Sequence, residues 1–245
     1  MTGPDDDAPD VDAEMVVGEP PPSARRPLDR QRIVSAAVTF IDEHGLPGLS
    51  MRRLGALLGV EAMALYRYVP GRENLLDAVV ETIMDEMRDD PETLREPRDG
   101  WQDFLQRLAH GVRRVALSHP KVFPLVASRP VEAPWLRPPL RSLTWVEVFL
   151  DGLIGEGFSD DAAVGAYRAF TSFLLGHLLL EVAVLGADVG PLDVIDDGES
   201  ANERPLDHPT IQRLGSSLAE NHSAQEFEEA LEELLNRLAL LQSET

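Results

Sequence analysis

Apolar residues recur at helical spacing along most of this 245-residue chain. The first such stretch starts after Asp29, a residue suited to a helix N-cap, and stops at Gly45. Its apolar positions lie three and four residues apart, on one helical face: Ile33, Ala36, Ala37, Phe40 and Ile41. The sequence shows no sustained alternation of apolar and polar residues, so the pattern predicts an all-α fold.

Two short helical segments follow the first helix. Ser50 is a suitable N-cap for the first segment, and Gly59 suits the left-handed turn that ends it. The second segment covers residues 62–68, with Leu65 on its inner side. Two short helices joined by a glycine turn are typical of the helix-turn-helix, whose second helix enters the major groove of DNA.

Beyond residue 72 the helical pattern continues, with interruptions at 89–99 and at 186–209, where we expect a linker and a mobile loop. The segment Ala162–Leu185 is apolar on nearly every side, which predicts a helix buried all round. Ser223 and Glu226 have the spacing of a capping box at the start of the last helix. The predicted helices lie near 72–88, 101–112, 121–128, 140–153, 160–185 and 223–241.

The charge distribution decides whether DNA is a plausible partner. The net charge is −21, and an acidic surface repels phosphates. Residues 1–24 carry seven acids and no base, whereas residues 25–72 carry eight arginines and four acids. The positive segment therefore coincides with the helix-turn-helix pattern, and at a Debye length of about 8 Å the distant acids are largely screened.

Side-chain chemistry identifies the residues that we expect to contact DNA. Arginine guanidinium groups match guanine acceptors, small or apolar side chains meet thymine methyls, and tyrosine hydroxyls suit phosphates. An arginine at a helix start adds the free N–H groups of that terminus. Each candidate has an ordinary alternative as a solvated surface or core residue. The candidates are Arg52, Arg53, Ala62, Met63, Ala64, Tyr66, Arg67, Tyr68 and Arg72.

A second set of residues is expected to line an apolar cavity that binds a small molecule, although each is individually compatible with ordinary core. The set is His110, Arg129, Trp145, Phe149, Phe170, Phe173 and His177. His177 and Glu181 lie four apart on one helix, so ligand contact, structural pairing and metal binding all stay open for them. Two residues do not make a metal site, and we predict no metal and no cofactor.

Several classes of protein are disfavoured by the sequence. The absence of cysteine excludes disulfides and thiolate metal sites. The sequence has no phosphate-binding glycine loop, no His-Glu-x-x-His and no Gly-x-Ser-x-Gly, so we expect no enzyme. The N-terminus does not read as a signal peptide, and polar residues interrupt the most apolar stretch. We therefore expect a cytoplasmic protein without a membrane partner.

The N-terminal region resembles the TetR family of bacterial transcriptional regulators over about 50 residues. The resemblance rests on Ile33, Ala36, Ala37, Gly45, Gly48–Arg52, Leu54, Leu58–Val60, Leu65, Tyr66, Tyr68, Val69, Arg72, Leu75 and Leu76. Residues 100–105 and 128–130 also resemble the effector domain of the tetracycline-repressor subgroup. The resemblance implies a homodimer on a palindromic operator, a C-terminal four-helix interface, and a ligand that lowers operator affinity. Leu125-Val126 and Leu108 replace the histidine and the asparagine of the tetracycline site, which disfavours a tetracycline–magnesium effector.

These observations predict three regions: a disordered acidic tail (1–27), a three-helix DNA-binding domain (28–72), and a helical domain for effector binding and dimerisation (73–245). The favoured function is a ligand-responsive DNA-binding regulator, a repressor that a small molecule releases from its operator. The excess of acidic residues and the lack of polar side chains in Ala62-Met63-Ala64 leave an alternative open. In that alternative the protein is a small-molecule binding or protein-interaction module that has lost DNA binding.

Overall fold

The computed structural model describes residues 27–89, 97, 99–129, 142–189 and 208–243. These residues form ten α-helices and no strand, which confirms the predicted all-α fold. The helices are α1 (Arg30–His44), α2 (Met51–Leu58), α3 (Ala62–Leu65), α4 (Arg72–Asp89), α5 (Trp101–Ser118), α6 (Phe123–Ser128), α7 (Leu143–Gly155), α8 (Asp160–Val184), α9 (Pro209–Leu218) and α10 (Ser223–Ser243). The predicted acidic tail, except Pro27, and most of the two predicted loops lie outside the described residues.

Local signals fix the ends of the N-terminal helices as predicted. The Arg32 N–H donates to Oδ1 of Asp29 over 2.7 Å, and the Arg53 N–H donates to Oγ of Ser50 over 3.2 Å. Gly59 has φ of +70°, in the left-handed region that favours glycine. The α2–α3 turn is therefore sharp, and it places α3 beside α2.

The helix α3 is shorter than the predicted segment 62–68. It ends at Leu65, whose carbonyl accepts the N–H groups of Tyr68 and Val69, each over 2.9 Å. Leu65 and Val69 are buried while the intervening residues are exposed. Residues 66–68 thus form a tight turn that presents its side chains outward.

The helix α4 belongs to both halves of the molecule. It packs against α1 on one side and against α5 and α6 on the other. Seven of its side chains are buried: Leu75, Leu76, Ala78, Val79, Val80, Ile83 and Met87. A displacement of α4 would therefore change its contacts with both the N-terminal helices and the C-terminal bundle.

The prediction that α8 is buried all round is wrong. Leu180 is 72% exposed and Val184 is 70% exposed. The neighbours of α8 are α5, α6, α7 and α10, which cover one side of the helix and leave an apolar stripe uncovered. The sequence of α8 lacks an apolar periodicity because both sides of the helix are apolar. This does not mean that the rest of the chain buries both sides.

The capping box predicted at Ser223 is also wrong. Ser223 is the first residue of α10 rather than the cap before it. Its N–H donates to Oδ1 of Asn221 over 3.1 Å, so an upstream asparagine satisfies the helix start. Ser159 does cap α8 as predicted, since its Oγ accepts the Ala162 N–H.

Candidate DNA-binding surface and effector cavity

The exposed face of α2, α3 and the turn after α3, which we call the α2–α3 surface, carries most of the predicted DNA contacts. Arg52, Arg67, Tyr66 and Tyr68 are exposed there, and Met63 is 74% exposed. An exposed methionine on a helix that otherwise buries Leu65 offers an apolar contact outside the core. The role of these residues in DNA binding stays a prediction.

The arginines Arg52 and Arg53 differ although they are adjacent. The Arg53 guanidinium Nη1 donates to the Gly48 carbonyl over 3.0 Å. The Arg52 side chain has no hydrogen bond or ion pair with another residue that the structure describes. Arg52 is therefore free to meet a phosphate or a base, whereas Arg53 braces the turn before α2.

The small residues Ala62 and Ala64 are partly buried on α3. They allow close approach of the helix rather than offering polar groups. Arg72 opens α4, and its Nη1 lies 3.8 Å from Oε1 of Glu73. Its side chain is partly exposed beside the α2–α3 surface, which leaves it available to an anion at that helix terminus.

A mostly apolar cavity of about 80 Å³ lies among α4, α5, α6, α7 and α8. Four of the seven predicted ligand residues line it: Arg129, Trp145, Phe149 and Phe170. The lining also includes residues that sequence reasoning missed, namely Met84, Met87, Leu108, Val112, Val126, Ala127, Ser142, Tyr167, Thr171, Leu174 and Leu175. A cavity with aromatic walls and few polar groups suits a small hydrophobic ligand.

The polar groups of the cavity are well defined. Burial raises the pKa of the Tyr167 hydroxyl to about 12, although its hydrogen bond with Thr171 acts in the opposite direction. The hydroxyl is therefore protonated at neutral pH. At the end of α6, Arg129 also lines this cavity.

Arg129 also joins the cavity to α4. Its Nη1 lies 2.9 Å from Oε2 of Glu73 and 3.6 Å from Oδ1 of Asp77, and its Nη2 donates to the Glu73 carbonyl over 3.2 Å. Glu73 and Asp77 were not singled out by the sequence, because 56 residues separate Glu73 from Arg129 and no local pattern links them.

The other three predicted ligand residues, His110, Phe173 and His177, do not line this cavity. They surround Phe227 of α10, with ring centroids 5.8, 5.8 and 5.2 Å from that of Phe227. His177 Nε2 is buried and has no hydrogen-bond partner among the described residues. These aromatic rings hold α5, α8 and α10 together.

Glu181 pairs with α5 rather than with His177. The Arg113 guanidinium donates to both Glu181 carboxylate oxygens, over 3.0 and 2.6 Å, and stands 5.1 Å above the Phe227 ring centroid. The hydrogen bond with Glu181 raises the pKa of Arg113 against the opposing effect of burial. Among the described residues no group of three or more metal-binding side chains is present.

A histidine ties the C-terminal bundle to the N-terminal helices. His119 follows α5, and its Nδ1 lies 2.6 Å from Oδ2 of Asp42 while its Nε2 lies 3.2 Å from Oε2 of Glu86. The hydrogen bond with Asp42 raises the pKa of His119, and burial acts against this. Nearby, Lys121 Nζ donates to the Glu43 carbonyl over 2.9 Å.

Comparison with known families agrees with this geometry. Residues 33–79 match the family described as "Bacterial regulatory proteins, tetR family". Residues 94–240 match "Tetracyclin repressor-like, C-terminal domain", which covers more than half of the chain. The chain belongs to the TetR family.

Similar proteins are regulators by name. HTH-type transcriptional repressor DrrR1 of Streptomyces coeruleorubidus is 32% identical over 149 residues, which are 61% of this chain and 52% of that protein. Tetracycline repressor protein class A from transposon 1721 of Escherichia coli is 28% identical over 214 residues, which are 86% and 91% of the two chains. The TetR-family chain described here thus spans about half the length of the first relative and most of the second.

Solved structures share the fold. A possible TetR family transcriptional regulator from Streptomyces coelicolor A3(2) aligns with a TM-score of 0.67 and 29% identity, over 87% of this chain and 100% of that one. Apo ActR from Streptomyces coelicolor aligns with a TM-score of 0.61 and 24% identity, over 89% and 99%. The likeness to ActR shows the arrangement of helices alone.

Proposed function

We propose that this TetR-family protein is a ligand-responsive DNA-binding transcriptional regulator, a repressor that a small molecule releases from a palindromic operator. The observation that carries the proposal is a shared helix. The helix α4 begins beside the α2–α3 surface at Arg72, and further along it lines the cavity with Met84 and Met87. A ligand that fills the cavity therefore acts on the same helix that orients the DNA-binding surface.

The α2–α3 surface supports direct readout of DNA. Arg52 and Arg67 are exposed cations, and neither is engaged by another described side chain. A guanidinium paired with guanine discriminates against a wrong base by about 1–3 kcal/mol. We place Tyr66, Tyr68 and Arg72 on phosphates, and Met63 on a thymine methyl.

The apolar stripe on α8 supports a homodimer. Leu180 and Val184 are exposed there, and α9 buries none of its residues, leaving Ile211, Leu214 and Leu218 exposed. Large exposed apolar patches are unusual on a monomer and mark interfaces. A two-fold partner packed on these helices would present a second α3 to the second half of a palindrome.

We further propose a cytoplasmic protein without catalytic activity. TetR-family regulators are generally non-enzymatic, soluble DNA-binding proteins. The helix α8 is long and apolar enough to meet the composition of a membrane span. However, its Glu181 pairs with Arg113 and its inner side packs on α5, α7 and α10, which favours a helix of a soluble bundle.

The rival function is a small-molecule binding module that has lost DNA binding, and the net charge of −21 is the observation that favours it. A footprint of the full chain on DNA flanking its own gene separates the two. We expect protection of a near-palindromic site whose half-sites lie about 34–36 Å apart, on one face of the duplex. Uniform cleavage at micromolar protein would contradict the proposed function and favour the rival.

A further inference from the structure

The Glu73 carboxylate stands between two arginines that belong to different functional surfaces. Its Oε2 lies 2.9 Å from Nη1 of Arg129, which lines the cavity. Its Oε1 lies 3.8 Å from Nη1 of Arg72, which opens α4 beside the DNA-binding surface. One carboxylate is thus in reach of both a ligand-facing cation and a DNA-facing cation.

The two ends of the Glu73–Arg129 pair differ in burial. The Arg129 side chain is 12% exposed, whereas the Glu73 side chain is 72% exposed. Glu73 is hydrated whether or not it is paired, but the Arg129 guanidinium needs acceptors because water reaches it poorly. A ligand that separates the pair must therefore bring acceptor atoms of its own. A purely apolar ligand would leave the pair intact.

We propose that the effector is an aromatic compound with an acidic or strongly accepting group, that this group replaces Glu73 on Arg129, and that the released Glu73 then shortens its 3.8 Å contact with Arg72 into a hydrogen-bonded pair. This inference rests on the proposed function and deepens it. The aromatic part lies against Trp145, Phe149 and Phe170, and the accepting group faces Arg129.

The exchange lowers operator affinity in two ways. A carboxylate paired with Arg72 neutralises a cation that would otherwise contact a phosphate. The start of α4 also loses the carboxylate part of its link to the end of α6 and keeps only the contacts of Arg129 with the Glu73 carbonyl and Asp77, so that the orientation of the α2–α3 surface is held more weakly from that side. The coupling is reciprocal: operator DNA, by engaging Arg72, keeps Glu73 on Arg129 and lowers the affinity for the effector.

Two naphthalene probes test the ligand class. 1-Anilinonaphthalene-8-sulfonate carries an acid, and N-phenyl-1-naphthylamine has the same rings without it. We expect Arg129→Gln to weaken binding of the sulfonate at least about tenfold and to change binding of the amine less than about twofold. Equal effects of Arg129→Gln on both probes, or no binding of the sulfonate to the wild-type chain, would overturn the assigned ligand class.

Operator binding in the presence of these probes tests the relay through Glu73. In the wild-type chain the sulfonate should weaken operator binding about tenfold, and the amine should weaken it less than about twofold. Glu73→Gln should still bind the sulfonate but lose this response. Asp77→Asn is the matched control and should keep the response, because Asp77 lies one turn further along α4 and its Oδ1 is 3.6 Å from Nη1 of Arg129, against 2.9 Å for Oε2 of Glu73.

The outcomes distinguish the inference from the function on which it rests. A Glu73→Gln variant that still loses operator affinity on adding the sulfonate would overturn the relay while leaving a ligand-responsive regulator in place. Loss of the response in Asp77→Asn as well would also overturn it, since any acid near Arg129 would then suffice. A wild-type chain that binds no operator at all would overturn both.

Discussion

At the scale of single residues, residues that look equivalent in the sequence differ in the structure, in their backbone conformations and in their side-chain partners. Arg52 and Arg53 are both arginines at the start of α2, yet Arg53 is bonded to the Gly48 carbonyl and Arg52 is free among the described residues. The sequence identified both as DNA contacts because it contains no signal for a bond to a backbone carbonyl. The structure gives Arg53 a contact within the chain, and the contact of Arg52 with DNA stays a prediction.

The turn at Gly59 gives a prediction about the helix-turn-helix. Gly59 has φ of +70°, and a Cβ there would meet no atom within 4 Å, so the cost of Gly59→Ala is conformational rather than steric. We expect a loss of about 1–2 kcal/mol in the free energy of unfolding, measured by urea denaturation. Gly155→Ala is the control, because Gly155 lies in α7 with similar open space and without a positive φ. Equal stability changes in the two variants would refute the conformational explanation.

At the scale of helices, much of the fold was predictable because its signals are local. The caps at Asp29, Ser50 and Ser159 and the inner faces of α1 and α4 follow from residues a few positions apart. Which helices pack against one another does not follow from such local signals. Phe170 and Phe173 lie three residues apart on α8, but Phe170 lines the cavity while Phe173 packs on Phe227. Periodicity assigns a residue to the inner side of a helix and does not say which helix it meets.

The contact of His119 with α1 and α4 makes stability depend on pH. Because the pKa of His119 is raised in the folded state, its stabilising effect is fully present below the ordinary histidine pKa of 6.5 and is lost as pH rises through the raised value. We therefore expect the difference in free energy of unfolding between wild type and His119→Gln to be larger at about pH 6 than at about pH 9. A difference that does not change with pH would contradict this.

The uncovered stripe on α8 predicts the assembly state. Leu180→Glu places a charge where we expect a partner subunit, and light scattering after size exclusion should then give the monomer mass of 27.0 kDa instead of twice that value. Ile154→Glu is the control, since Ile154 is also exposed but lies near the end of α7. Dissociation by both variants, or by neither, would argue against α8 as the dimer interface.

At the scale of the whole molecule, long-range charge and local charge have opposite signs. The net charge of −21 repels DNA, while the segment that holds the α2–α3 surface is positive. Added salt screens both the repulsion by the net charge and the attraction by the positive segment. Specific binding is dominated by the release of counterions from the phosphates that the protein contacts. If a dimer makes 6–8 phosphate contacts, its operator affinity should fall by roughly a thousandfold between about 50 and 200 mM salt.

The measurement that tests the account most directly is operator affinity as a function of salt for two double variants of equal charge. Arg52→Ala/Arg67→Ala removes two arginines from the α2–α3 surface, and Arg88→Ala/Arg114→Ala removes two exposed arginines from α4 and α5. We predict that the first variant binds at least about 100-fold more weakly than wild type, with a salt dependence lower by about two to four contacts per dimer, and that the second stays within about threefold. Equal affinities of the two variants, or a wild-type affinity that does not change with salt, would contradict DNA recognition through the α2–α3 surface.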